Sequence, residues 1–154
     1  MVPFCPARKP QTTHCNGRQA RDNAPMFRVF LALSALNGFL AVALGAFGAH
    51  GLRQRLAVLE DGAQRLEWWR TAASFHLWHA LALGLVALLV GRTSPVPLSL
   101  AGWAFLAGIA LFSGSLYAMV LTGVRGLGTV TPLGGVAFLV GWAALAWAAF
   151  RTAD

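Results

Sequence analysis

Acidic residues are scarce in this 154-residue chain: Asp and Glu together number five, against twelve Lys and Arg. They are Asp22, Glu60, Asp61, Glu67 and Asp154, so no carboxylate interrupts the long apolar stretches. Cysteine is scarcer still. Cys5 and Cys15 both lie in the polar N-terminal segment, which excludes a disulfide between helices and leaves the apolar stretches without thiolate ligands. His14 beside Cys15 adds a third donor, read as coincidence because a polar tail fixes no metal geometry. A period-two alternation of apolar and polar positions is also missing. The Leu/Ala/Gly runs are unbroken, which argues against a transmembrane barrel of strands.

What is present is hydrophobic. At 57% hydrophobic residues, 11% charged and a mean hydropathy of +0.62, the composition lies outside the soluble range. A bilayer core about 30 Å thick takes about 20 residues of helix. Four uncharged stretches qualify: Val29 to Leu52, Thr71 to Gly91, Thr93 to Val124 once its prolines are trimmed, and Gly126 to Phe150. The expected fold is all-α, a bundle of four transmembrane helices over residues 26–151. The formal charge of +7 and the pI near 11.4 come from basic residues at the ends of apolar runs. That is the pattern of membrane-flanking charge and not of a nucleic-acid surface.

Residues 1–25, "MVPFCPARKPQTTHCNGRQARDNAP", are basic, rich in Pro, Arg, Asn and Thr, and poor in large aliphatics. Such a segment is expected to be disordered. Its prolines argue against a transit peptide, and the favoured reading is that the chain proper opens at Met26, with residues 1–25 an extension or a misplaced start. The first apolar run is too long and lacks the cleavage region of a removed signal peptide, so it is kept as a span.

Between the first two spans, Leu52, Leu56, Leu59, Ala63 and Leu66 recur at spacings of three and four among Arg53, Arg55, Glu60, Asp61, Arg65 and Glu67. That pattern predicts an amphipathic segment on the membrane surface. Gly62 would divide it, and Trp68 and Trp69 would anchor its end at the headgroups. Side A is defined as the face carrying the N-terminus, the "RTSPVP" connection and the C-terminus. Side B carries the other two connections. With the second helix starting near Thr71, His76 and His79 fall in its first turns, at side B. His50 ends the first helix there, and Ser113, Ser115 and Tyr117 lie in the side B half of the third. The polar groups are therefore expected to converge at one end of the bundle. Side A offers little beyond Ser99, Trp103 and Trp147, the two indoles suiting an interfacial belt.

His76, Ala80 and Gly84 form an i, i+4 row that would let another helix approach closely. His79 lies within about 60° of His76 around the helix, near enough for both rings to reach one neighbour or one ligand. His50, His76 and His79 are thus the candidate metal ligands. Asn37, mid-way along the first helix, needs a partner, because an unpaired amide is costly in hydrocarbon. Asn37, Ser113, Ser115 and Tyr117 make up the remaining candidate polar cluster, although serine hydroxyls also bond back to the preceding turn. Gly45, Gly48, Gly51, Gly84, Gly114 and Gly134 are the expected packing glycines. Thr131 and Pro132 suit the cap and first residue of the fourth helix.

The motifs "GAFGAHGL", "EWWRTAASFHLWHALAL", "FSGSLY" and "TVTPLGG", in that order and spacing, resemble those of the YgdD/YwdK-like family of small uncharacterised membrane proteins. The resemblance covers about Met26 to Phe150. It implies four spans, a chain that begins near Met26, and no established biochemical function. The motif positions it singles out are Gly45, Gly48, His50, Gly51, His76, His79, Ser113, Gly114, Ser115, Tyr117, Pro132 and Gly134.

Orientation depends on the tail. Counting it, side A carries Arg8, Lys9, Arg18, Arg21, Arg28, Arg92 and Arg151 against Arg53, Arg55, Arg65, Arg70 and Arg125 on side B. From Met26 onward the count is three against five, which directs both termini outside. Three functional readings compete. The favoured one is a non-enzymatic, multi-pass module of the bacterial inner membrane. It would bind lipid, a small ligand, another membrane protein or a second copy of itself, with no cofactor and no nucleic acid. The second is a metal- or haem-binding protein using His50, His76 and His79. The third is a small transporter or channel component using histidines to move protons.

Overall fold

The computed structural model describes the backbone of residues 13–151 and the side chains of residues 24–151. Helix α1 (Thr13–Phe47) continues through a five-residue π-helical turn (Gly48–Leu52) into the short helix α2 (Arg53–Leu56). Helix α3 (Gly62–Leu89) returns across the bundle. Helix α4 (Pro95–Gly108) is joined to α5 (Gly114–Thr122) by a second π-helical turn (Ile109–Ser113). A 3₁₀ turn (Arg125–Thr129) leads into α6 (Thr131–Ala149). Four stretches are long and apolar enough to cross a membrane: Ala24–Leu56, Gly62–Leu89, Pro95–Thr122 and Arg125–Ala149. The fold is all-α with four spans, and no strand occurs among the described residues.

The boundaries differ from expectation in two informative places. Helix α1 reaches back through Pro25 to Thr13, so the second half of the segment expected to be disordered is helical; residues 1–12 lie outside the described residues. The amphipathic surface segment does not form a separate element. Leu52 and Leu56 close the first span and Ala63 and Leu66 open α3, because Leu52, Leu56, Trp69 and Val120 bury one another in a small core near side B. Gly62 makes the reversal possible. A side chain there would collide with the carbonyl of Leu56, so only glycine lets the two helix ends close over the five residues between them. Arg65, Glu67 and Arg70 ride on the first turns of α3, which places His76 fourteen residues beyond its start. At 1.5 Å per residue that is about 21 Å. Both His76 and His79 therefore sit deep in the second span and not at its entrance.

Helix α3 is the centre of the bundle, packed on α1, α4 and α5, while α4 pairs with α6. On α1 the positions Ser34, Asn37, Ala41, Leu44 and Gly48 recur at spacings of four and three. This is the spacing of a coiled-coil seam. The facing partners are Ala80 and Gly84 for Ser34, His76 for Asn37, and Trp69 for Leu44 and Gly48. The α4–α6 pair is built differently, with phenylalanine rings laid on glycines. Phe138 lies on Gly108 and Phe105 on Gly141, and Phe30 of α1 lies on Gly102. Gly134 meets the backbone of Phe112 itself, so α6 touches the main chain of the π-helical turn.

The expected packing glycines divide accordingly. Gly48, Gly84 and Gly134 each face a neighbouring helix. Gly45 has open space beside it, being one step off the seam position that Leu44 occupies. Gly51 touches only Phe47 of its own helix, and Gly114 meets only the carbonyl of Ile109, at 3.8 Å. Gly51 lies within the first π-helical turn and Gly114 directly follows the second. The extra residue in such a turn rotates later positions by about 100°, which moves them off the row an unbroken helix would give. Helix α5 ends on Gly123, whose φ of 76° lets its N–H reach the carbonyl of Met119 at 2.9 Å, a left-handed cap that favours glycine.

Candidate functional site

Asn37 and His76 meet at the middle of the α1–α3 seam. The Asn37 amide donates from Nδ2 to the carbonyl of Leu33 at 2.8 Å, which turns Oδ1 toward Nε2 of His76, 3.2 Å away. An amide oxygen only accepts, so His76 carries its proton on Nε2 and leaves a lone pair on Nδ1. That nitrogen is buried and has no partner in the protein, and the same holds for the hydroxyls of Ser113 and Tyr117. Ser113 is wholly buried where the second π-helical turn ends, and Tyr117 lies four residues on. The Tyr117 ring is 6.2 Å from the His76 ring and 4.6 Å from Trp69, centroid to centroid. Each of these atoms left unpaired costs roughly 1–3 kcal/mol. Thr93 Oγ1, in the connection before α4, is a fourth among the described residues; the three that lie within the spans are, by the ordinary rules of membrane interiors, functional candidates.

His79 is 60° away around α3 and belongs to a different neighbourhood. Because α3 is central, that rotation carries its ring from α1 to α6. Trp142 donates its indole N–H to Nε2 at 3.3 Å, so the proton sits on Nδ1, which donates to the carbonyl of Phe75 at 2.8 Å. Phe138 stacks on the imidazole with centroids 3.4 Å apart. Both nitrogens are satisfied, and the ring is held neutral between apolar faces. The two histidines therefore do not share a ligand, contrary to what their spacing suggested.

His50 does not join them. It is exposed on the first π-helical turn, thirteen residues past Asn37, or about 20 Å along the helix. Among the described residues no three His, Cys, Asp or Glu side chains gather as a metal ion requires. The expected convergence of polar groups fails for the same reason of depth. Ser115 instead pairs with Thr131 across α5 and α6, oxygen to oxygen at 2.8 Å, and donates to the Phe112 carbonyl at 3.0 Å. Thr131 thus spends its hydroxyl on Ser115 rather than capping α6. Trp69, expected at the headgroups, is 1% exposed and donates to the carbonyl of Leu44 at 2.8 Å. Its role, and that of Trp142, escaped the sequence reading. The available signal was that a buried indole must find an acceptor.

Near side B, two further features stand out. Asp61 receives Nε of Arg65 at 2.9 Å on one oxygen and Arg125 at 3.2 Å on the other. The Arg65 hydrogen bond, aided by Arg125, holds its carboxyl below the ordinary 3.8. This clasp ties the α2–α3 connection to the one before α6. Beside it opens a cavity of about 520 Å³ with walls of Trp68, Phe112, Leu116 and Met119. Arg125, Gly128 and Thr131 stand at its polar margin.

Comparison with known sequences brings the decisive match. The family described as "Protein of unknown function (DUF423)" matches residues 44–135. The chain belongs to this family. The matched segment holds every motif position named above, from Gly45 to Gly134. The UPF0382 membrane protein YwdK of Bacillus subtilis is 45% identical over 125 residues, covering 80% of this chain and 98% of YwdK. A UPF0382 membrane protein of Staphylococcus aureus is 44% identical over 126 residues, 82% of this chain and 98% of its own length. One from Staphylococcus haemolyticus is 37% identical over 124 residues, 80% and 97% respectively. No solved structure matches the chain. This DUF423 member is thus a multi-pass membrane protein of an uncharacterised family, as the resemblance implied.

Proposed function

We propose that this DUF423 protein is a non-enzymatic binding module of the bacterial cell membrane that takes an anionic phospholipid at side B. The observation that carries the reading is the 520 Å³ cavity, apolar in its walls and bordered by the Arg125 guanidinium. Its volume lies in the usual range for small-ligand sites, about 300–1,000 Å³. The clasp beside the cavity sets Arg65 and Arg125 against the single carboxylate of Asp61, and its surplus positive charge reaches the margin through Arg125, a net attraction for phosphate. A non-enzymatic role is supported by the serines: among the described residues none is hydrogen-bonded to a histidine or carboxylate that would activate it. The bacterial cell membrane is supported by the bacterial sources of the relatives and by the helical construction of the spans. Counted from Met26 onward, the arginines stand three against five and direct both termini outside, so an alkaline phosphatase fused after residue 151 of the chain begun at Met26 should be active.

The test is thermal unfolding of the purified protein in mild detergent, with added phosphatidylglycerol or phosphatidylcholine. Phosphatidylglycerol should raise the midpoint more than phosphatidylcholine does. Gly128→Phe, which fills the cavity from its margin, should remove that difference, and Arg125→Gln should reduce it. Equal response to both lipids, or a response untouched by Gly128→Phe, overturns the reading.

A further inference from the structure

We propose that His76, Ser113 and Tyr117, with Asn37 behind them, hold an ordered water inside the membrane-spanning bundle, closed off from side B by Trp69. The argument is one of complementary hydrogen-bond roles and is independent of the lipid cavity. Asn37 commits Nε2–H of His76, so Nδ1 of that ring can only accept. The Tyr117 and Ser113 hydroxyls are buried and unpartnered, each able to donate. No direct pairing among the three atoms satisfies them: the His76 and Tyr117 rings are tilted by 58° with centroids 6.2 Å apart, and their heteroatoms are not bonded. A molecule that donates to Nδ1 and accepts from a hydroxyl completes the set, and water does so with about three bonds. His79, three residues away, has both nitrogens bonded to protein and offers no such demand.

The surroundings explain how the water is retained. Trp69 is wedged between Phe47 and Tyr117, with ring centroids at 5.7 and 4.6 Å, and its indole N–H is held by Leu44. Gly48 supplies the space for the indole; a side chain at that position would overlap it. Aromatic surface therefore covers the polar group on the side from which solvent would enter.

Magic-angle-spinning NMR of the full chain in lipid bilayers, labelled with ¹⁵N at histidine, tests this. Magnetisation transfer from water should be several-fold faster to the His76 ring than to the His79 ring. It should be lost or strongly slowed in Tyr117→Phe and in Ser113→Ala; the second variant serves if the first fails to fold. His76 should report the Nε2–H tautomer with a hydrogen-bonded Nδ1. Transfer to His76 no faster than to His79, or an Nδ1 bonded directly to the Tyr117 hydroxyl, overturns the proposal. So does transfer that neither variant slows.

Discussion

The α1–α3 seam and the α4–α6 pair answer the same problem by different means. In a bilayer the lipid tails are as apolar as the side chains, so helices gain little by hiding apolar surface from water; close packing and hydrogen bonds must hold them together. The α4–α6 pair uses packing alone, with Phe138 on Gly108 and Phe105 on Gly141. The α1–α3 seam is stitched at three depths: Ser34 to the Ala80 carbonyl at 2.8 Å, Asn37 to His76, and Trp69 to the Leu44 carbonyl. The first span borders few other elements and leaves Leu36, Phe39 and Val42 exposed. The peripheral first span adds directional bonds to the one seam along which it packs, whereas the α4–α6 contact itself rests on glycine-cut grooves, the hydrogen bonds of α6 going instead to α3 through Trp142 and to α5 through Thr131.

Breaking the packing side of this contrast should have the largest effect. Gly134→Leu forces a side chain into the Phe112 main chain, and overpacking of this kind costs about 1–3 kcal/mol or more. A marked fall in the unfolding midpoint in mixed micelles is expected, with Gly108→Leu smaller because a phenylalanine ring can yield. On the hydrogen-bonded side, Asn37→Leu and His76→Leu should each destabilise. Their double variant should reveal a coupling of about 0.6 and at most about 1.7 kcal/mol, the range for interhelical bonds in membranes. A coupling of zero would remove the distinction between the two interfaces. Trp69→Phe loses both the bond to Leu44 and the pyrrole edge packed on Gly48, so a loss above the roughly 0.6 kcal/mol of the bond alone is expected.

The smallest effect belongs to the clasp that joins the two regions. Because Arg65 and Arg125 hold the Asp61 carboxyl below its ordinary 3.8, its contribution is fully present above that value and is lost as pH falls through the lower folded one. Stability should therefore be flat from about pH 8 to pH 5 as far as this group is concerned. Asp61→Asn should flatten the acid-side decline, measured as the unfolding midpoint against pH.

Much of the candidate site was legible one residue at a time. Asn37 demanded a partner because its amide lies in hydrocarbon, and the small-residue row of His76, Ala80 and Gly84 marked a face for another helix. What spacing could not supply was which neighbour each face meets. His76 and His79 are only 60° apart, yet α3 is central, and that angle separates α1 from α6. Trp68 and Trp69 are adjacent in sequence; one lines a cavity and the other is buried. The two π-helical turns left no mark in the pattern, and they displaced Gly51 and Gly114 from their expected rows.

The class of solvent and the number of spans follow from local composition, because twenty apolar residues in a row satisfy a bilayer with intrahelical hydrogen bonds and need no information from elsewhere in the chain. Depth and partnership come from the packing of the helices together. The antiparallel register of α1 against α3 sets Asn37 opposite His76 and leaves His50 about 20 Å away. That register is a property of two helices together, fixed where Trp69 finds room over Gly48 and Gly62 lets the chain turn back against Leu56.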